Sequence, residues 1–417
     1  MKKRITLSLI LGIFFSAVII FLFYNQFFYP TIIPMVYKGG ASIFADWTVI
    51  LNANLCLEKG YDVFLENPCD NWGRRHVYGN ILLNIPLIRN FPNFYYFYLP
   101  IILGFTFLTI ISYSLFNYNN KEYWFSFLIL IFSVPVLLVV ERSNIDLIIF
   151  IFLFIISISN SFFLNFSLIL ISSISKFYPI LLTVVFIFQN NLKKVISYIF
   201  FVILCFFLIT VYQWESFSKI FDNKDQFTGF GLYNFSFLGI IDFLKNFTIR
   251  IYSIDYSWIK YFYIIFFIII PIFFMNLKFF KKISLFFDDV QIFNESKFDE
   301  RMYYLSSTII LFCYFSLSNF IYREIFFLGL VPMIISLNVK NKDSFLTFFY
   351  TLILTKFFIT TFSNYLVQND LISNFGPFLI ILKHTVDLYL ISLILHVYIY
   401  FVKYCFKKIT NQVPQKV

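Results

Sequence analysis

Residues 162–189 read FFLNFSLILISSISKFYPILLTVVFIFQ, and the fold turns on how often this stretch crosses a membrane. Read as one long helix, it puts Lys193 and Lys194 on the far side and inverts every later loop. Broken near Lys176–Pro179, it returns them to the side on which it began. Pro179 has no amide hydrogen to donate and disfavours helix at Tyr178. Two short segments are therefore expected, with Ser175–Lys176–Phe177–Tyr178–Pro179 as the apex between them. Broken backbone at membrane depth is tolerated only where it lines a protein cavity.

Working outward, Lys2, Lys3 and Arg4 precede an apolar run from Ile5 to Tyr24, followed by no small-residue cleavage site. About 20 residues suffice to span a bilayer, so an uncleaved first helix is expected, with its N-terminus in the cytoplasm. Further apolar runs lie near 94–116, 123–140, 146–160, 162–175, 178–189, 195–213, 257–275, 303–318, 324–338, 345–363 and 377–402. The reading is an all-α polytopic membrane protein of about twelve hydrophobic segments, some broken or short.

Composition agrees. Of the 417 residues 60% are hydrophobic and 13% charged, with mean hydropathy +0.81. Soluble domains carry about 25% charged residues. The net charge of +10 does not indicate a nucleic-acid partner, because its lysines are spread over short loops. Lys121, Lys193, Lys194, Lys278, Lys281, Lys282, Lys340, Lys342, Lys403, Lys407 and Lys408 fall in alternate loops. That is the positive-inside pattern, and with an even count it puts both termini inside. Residues 25–92 and 214–256 are then outer loops, and the charged stretch 276–302 is a solvated cytoplasmic connector, all within one membrane domain over 1–417.

Overlaying sidedness on the polar residues brings four separated stretches to the outer face. They are Asp46 in the first loop, Glu141-Arg142-Ser143-Asn144-Ile145-Asp146, Lys176, and Asn319-Phe320-Ile321-Tyr322-Arg323-Glu324. Each has a plain explanation. Asp46 caps a loop helix, Arg142 pairs with Glu141 or Asp146, Lys176 snorkels to the interface, and Arg323 with Glu324 is a surface pair. Ionisable groups near spans are nevertheless costly and usually functional. Cations at a membrane face suit a phosphate on a lipid carrier, and a carboxylate suits removal of a proton from a hydroxyl. Trp47 beside Asp46 is an amphipathic ring suited to head-group level. Asp62 and Asp70 read as turn residues, and Asp146 as a group that orients Arg142. His384 and His396 are too isolated for a metal site, and no metal is expected. Cys56 and Cys69 share the first loop and form a disulfide if it faces an oxidising compartment.

These residues resemble, in order, the polyprenol-phosphate-dependent glycosyltransferases of family 87, an alpha-mannosyltransferase-like group of the GT-C superfamily. Asp46-Trp47-x-Val49 followed by Ala53, Gly60, Tyr61 and Phe64 is similar to the family's first-loop pattern. Tyr78-Gly79-Asn80 followed by Pro86 resembles its Tyr-Pro-Pro segment, without those prolines. Arg142-Ser143-Asn144-Ile145-Asp146-Leu147 is similar to Arg-Gly-Asn-x-Asp, with Ser for Gly. Lys176-Phe177-Tyr178-Pro179 matches Lys-x-x-Pro, and Asn319 to Arg323 with Pro332 resembles a late Asn…Tyr-Arg…Pro segment. The resemblance covers roughly 46–180, with a weaker echo at 319–332. It implies a GT-C helix bundle and Asp46 as the catalytic carboxylate. Arg142, Asn144, Asp146, Lys176, Tyr322 and Arg323 would bind the donor phosphate or substrate. The implied reaction moves a hexose from a polyprenyl-phosphate sugar to a glycolipid or polysaccharide acceptor, outside a bacterial plasma membrane and with no cofactor. A polysaccharide polymerase or ligase, and a transporter or flippase of lipid-linked glycans, are the other readings. A polymerase or ligase commonly carries a large late outer loop, and a transporter shows paired halves.

Overall fold

The computed structural model describes residues 2–24, 43–83, 85, 88, 90–115, 122–188, 192–222, 235–236, 297–316, 321–342, 344–368 and 376–411. Among them the regular structure is helical throughout. In chain order the helices are α1 (Lys2–Tyr24), α2 (Ala45–Glu58), α3 (Leu99–Leu115), α4 (Glu122–Ile131), α5 (Val134–Arg142), α6 (Ile145–Ile158) and α7 (Phe162–Ser175). After the 3₁₀ helix Tyr178–Phe188 come α8 (Leu192–Tyr212), α9 (Trp214–Asp222) and α10 (Lys297–Phe315). The 3₁₀ helix Ile321–Gly329, α11 (Val331–Asn341), α12 (Ser344–Gln368) and α13 (Gly376–Asn411) follow, and a short 3₁₀ helix Asn80–Leu83 and a π-helical turn Phe94–Tyr98 lie between α2 and α3.

Among the described residues, six helical stretches are long and apolar enough to cross a membrane, or seven if the bent pair α4–α5 counts as one. The shorter apolar helices there, Ile145–Ile158, Phe162–Ser175 and Tyr178–Phe188, are the short and broken segments of the expected set. Helices α6 and α7 have 14 residues each, about 21 Å of rise, against a hydrocarbon core of about 30 Å. The run expected at 303–318 belongs to α10, whose first turn carries Asp299 and Glu300. The run at 257–275 lies outside the described residues. The connector expected over 276–302 is also corrected at its end. Asp299, Glu300 and Arg301 are buried inside α10, and Arg301 donates to the Ser159 carbonyl at 2.9 Å.

The break expected at Lys176 is present. Helix α7 stops at Ser175, Lys176 is extended, and the chain re-enters as the 3₁₀ helix holding Pro179 near its start. The two pieces pack on each other. The run at 123–140 bends too, by 43° between α4 and α5. Pro135 lies in the first turn of α5, and the Val134 amide donates to Thr361 Oγ1 of α12 at 3.0 Å.

Helix α10 is the hub, packing against α6, the 3₁₀ helices Tyr178–Phe188 and Ile321–Gly329, α11 and α13. Met302, Tyr303, Tyr304, Leu305, Ser306 and Ser307 are consecutive and all buried, as befits a bundle-core helix. Outer helices show the reverse. Phe200 and Phe207 on α8, and Ile13 and Phe21 on α1, are exposed apolar side chains of the kind lipid covers.

Candidate functional site

The four separated stretches meet. Helix α2 begins one residue before Asp46, so the carboxylate sits in the first turn, where the helix dipole favours negative charge. Phe44, left-handed at φ 65°, donates its amide to the Glu141 carbonyl at 2.7 Å. That bond ties the start of α2 to the end of α5, which carries Arg142. Ser143 then takes a left-handed conformation at φ 45° and closes α5. Asn144 starts α6, its side chain accepting from the Asp146 amide at 3.0 Å.

Asn144 joins two charged centres. Its Nδ2 donates to Asp46 Oδ2 at 2.7 Å, and its Oδ1 accepts from Lys176 Nζ at 3.1 Å. Around Asp46 stand Arg74 Nη1 at 3.4 Å and Arg142 Nη1 at 3.5 Å, with Arg142 also 3.3 Å from Glu141. Around Asp146 stand Lys176 at 2.6 Å and Arg323 at 3.4 Å, and the Tyr178 hydroxyl donates to it at 2.5 Å. Asp146 therefore orients Lys176 and Arg323. The expectation that it orients Arg142 is corrected: that arginine goes to Asp46 and Glu141.

Exposure separates the two carboxylates. The Asp46 side chain is 17% exposed, and Asp146 is wholly buried. Arg142, Lys176 and Arg323 keep part of their surface open. The arrangement is a cluster in which Arg74, Arg142, Lys176 and Arg323 meet the carboxylates of Asp46, Asp70, Glu141 and Asp146, with Asp46 part-exposed and Asp146 closed. Tyr322 lines it, its ring 5.9 Å from Lys176 Nζ. Tyr78 faces the same ammonium at 5.4 Å. Burial, and then the Asp46 charge, push the Tyr78 hydroxyl well above its ordinary pKa, so it stays a donor.

Gly79 explains how Tyr78 gets there. Its amide donates to the Ser175 carbonyl at 3.1 Å, and a Cβ at Gly79 would lie 1.7 Å from the Ile174 carbonyl oxygen. Only a residue without a side chain lets the first loop press on the end of α7. Asn80 also donates to Ser216 Oγ of α9 at 2.8 Å, and Lys219 of α9 pairs with Asp62 at 2.8 Å. The start of the 214–256 stretch thus lies against the first loop.

Asp62 and Asp70 behave as turn residues. Asp62 accepts from the Phe64 amide, and Asp70 from the amides of Trp72 and Arg74. Asp70 also grips the Arg74 guanidinium with both oxygens at 3.1 Å. Trp47, expected as an amphipathic ring facing the interface, does not present its ring to the surface. It is packed inside, and its indole donates to the Tyr95 carbonyl at 2.9 Å. Arg323 and Glu324 are not a surface pair, since Glu324 is fully buried and points elsewhere. Asn319 and Phe320 lie outside the described residues.

Sequence reading missed Arg74 and Trp72. Arg74 lies beneath the Trp72 ring at 4.2 Å and donates to the Ala45 carbonyl at 2.8 Å, one residue from Asp46. The available signal was Asp70-Asn71-Trp72-Gly73-Arg74, a turn that folds an aspartate onto an arginine four residues later. A second charged group was missed altogether: Glu324, Lys356, Lys383 and Asp387, on three elements and buried together. His384, read as isolated, lies 3.9 Å from Asp387.

Cys56 and Cys69 are joined by a disulfide, with Cα atoms 5.7 Å apart, pinning the end of α2 to the turn that carries Arg74. The enclosed loop is short, for which the chain-entropy model gives about 3 kcal/mol. Replacing both cysteines by serine is expected to cost about that much, read as a lowered thermal unfolding temperature. Alkylation of the native protein without reductant should leave both residues unmodified.

His76 gives the loop an acid-sensitive point. It is buried between Phe64 and Tyr78, ring centres 5.4 and 5.8 Å away, and burial lowers its pKa from 6.5 to about 4. The unfolded chain takes up a proton below about pH 6.5 that the folded loop refuses until about pH 4. Stability is therefore complete above that window and is lost as pH falls through it, by about 3 kcal/mol at most. Protection factors over 59–79, with each exchange rate divided by the intrinsic rate at its pH, should fall between pH 7 and pH 5, and His76→Phe should flatten that dependence. Among family models, curated proteins and solved structures, none matches this chain.

Proposed function

We propose that the protein is a GT-C-type membrane glycosyltransferase. It moves a mannose-like hexose from a polyprenyl-phosphate donor to a glycolipid or polysaccharide acceptor. The observation that carries the reading is the part-exposed Asp46 carboxylate beside Arg142, joined through Asn144 to the centre where Lys176 and Arg323 meet Asp146. The same residues carry the ordered resemblance to family 87. Asp46 takes the proton from an acceptor hydroxyl, and that oxygen attacks the anomeric carbon. The bond from that carbon to the lipid phosphate breaks, and the phosphate leaves with the electron pair. Arg142, Lys176 and Arg323 hold the charge that develops there, so the leaving group needs no proton. The displacement inverts the anomeric centre.

The positive-inside distribution supports an outward-facing site in a bacterial plasma membrane, with both termini cytoplasmic. One observation favours the transporter reading, the buried charges of Glu324, Lys356, Lys383 and Asp387 among apolar helices. Their two cations and two anions balance, and each side chain is no more than 1% exposed, so that group offers no entry to a solute. The test is incubation of membranes containing the protein with labelled polyprenyl-phosphate hexoses. Transfer of label to an acceptor, absent from membranes without the protein, is expected. Movement of intact donor across the bilayer without sugar transfer would support the transporter instead.

A further inference from the structure

The buried charged group and the cluster around Asp46 and Asp146 meet at one peptide bond, between Arg323 and Glu324. Arg323 and Glu324 are neighbours on the 3₁₀ helix Ile321–Gly329, with side chains reaching in different directions. Arg323 goes to Asp146, its guanidinium over the Tyr178 ring at 5.2 Å. Glu324 Oε1 lies 3.0 Å from Lys356 Nζ of α12 and 3.1 Å from Lys383 Nζ of α13. Its Oε2 accepts from the Thr360 hydroxyl at 3.2 Å. Asp387 closes the ring, bonding Lys356 and standing 3.5 Å from Lys383. Phe235 and Phe327 cover the Lys356 ammonium at 4.8 and 5.1 Å.

We propose that Glu324, held by Lys356 and Lys383, is a positioning residue that fixes Arg323 in the phosphate-binding cluster. A 3₁₀ helix has poorer hydrogen-bond geometry than an α-helix, and runs beyond three or four residues are uncommon. This one has nine residues. Something outside it must fix its rotation, because a turn about its axis would carry Arg323 away from Asp146. Buried Ile321, Ile325, Phe326 and Phe327 seat the helix by packing. A carboxylate shared between two lysines on two other helices fixes rotation, because breaking the contact leaves buried charges unpaired. The far end is pinned as well. A Cβ at Gly329 would meet Ser306 Oγ of α10 at 1.9 Å, so this end of the 3₁₀ helix is pressed against α10. The balanced, closed charge set has no need of a ligand of its own, which is what an anchor requires.

The inference rests on the phosphate-binding reading of the cluster, and two readouts separate the two. The first is the affinity of the nanodisc-reconstituted protein for a polyprenyl phosphate. Glu324→Gln alone leaves a surplus buried cation and is expected to lower stability. Glu324→Gln with Lys383→Met restores the balance and is expected to recover stability while leaving affinity reduced by about tenfold to a hundredfold, as for Arg323→Ala. Adding Arg323→Ala to that pair should weaken binding no further, because Glu324 acts through Arg323. Wild-type affinity in the balanced variant, or losses that multiply when Arg323→Ala is added, would overturn the proposal. The second readout is amide hydrogen exchange, which needs no donor. The balanced variant should exchange faster over 321–329 than the wild type, and unchanged exchange there would overturn the anchor. Faster exchange in a protein that binds no polyprenyl phosphate would uphold the anchor and remove the phosphate reading.

Discussion

Asp46→Asn is expected to keep the fold and donor binding and to lose turnover by about 10²–10⁴-fold, the usual contribution of a general base. The amide keeps the shape of the carboxylate but cannot accept the acceptor's proton. Its surroundings limit collateral damage. Asp46 is part-exposed, so the arginines beside it have water and other partners: Arg142 retains Glu141, and Arg74 retains both oxygens of Asp70. Asn144 can still donate to the amide oxygen. Single-turnover transfer with purified protein, set beside a thermal unfolding curve, checks the expectation. Wild-type turnover in Asp46→Asn, with turnover lost in a folded Asp146→Asn, would move the role to Asp146.

Asp146→Ala should act on the fold instead, costing about 3–5 kcal/mol. The side chain is wholly buried and serves Lys176, Arg323 and the Tyr178 hydroxyl together. Its removal leaves cations with no counter-charge, and breaking a buried pair from one side is far costlier than omitting the pair. The unfolding temperature in detergent should fall steeply, with exchange rising first around the break at Lys176 and in 321–329. A wild-type unfolding temperature for Asp146→Ala would show that the buried carboxylate is not what holds those cations. The pair of variants separates chemistry from support, the open carboxylate affecting rate and the closed one affecting stability.

Much of the site was legible because the residues that form it are costly in an apolar chain. Asp46, Arg142, Asn144, Asp146, Lys176, Tyr322 and Arg323 stand in apolar surroundings, and the structure brings all seven into one region. The break at Lys176 was legible because proline and an ionisable residue coincide there. Pairing was not legible. Asp146 is four residues from Arg142, yet the chain turns at Ser143, and that reversal directs Arg142 to Asp46 and leaves Asp146 to partners from other elements. Hydropathy alone does not distinguish a 14-residue apolar run that spans from one that stops inside the bundle, as in helices α6 and α7. Lys356, Lys383 and Asp387 were passed over because each lies within a long apolar run, and three elements must fold before their charges are seen to cancel. Trp47 was read from its side chain alone, whereas its indole finds a backbone carbonyl inside the protein.

The most direct test of the central claim is titration of the nanodisc-reconstituted protein with a polyprenyl phosphate, with Arg142→Ala, Lys176→Ala and Arg323→Ala measured beside the wild type. The account predicts saturable binding by the wild type that weakens as ionic strength rises. Each alanine variant should lose about tenfold to a hundredfold in affinity, the worth of one charged hydrogen bond. Asp46→Asn should bind as the wild type does. Undiminished affinity in all three alanine variants would contradict it.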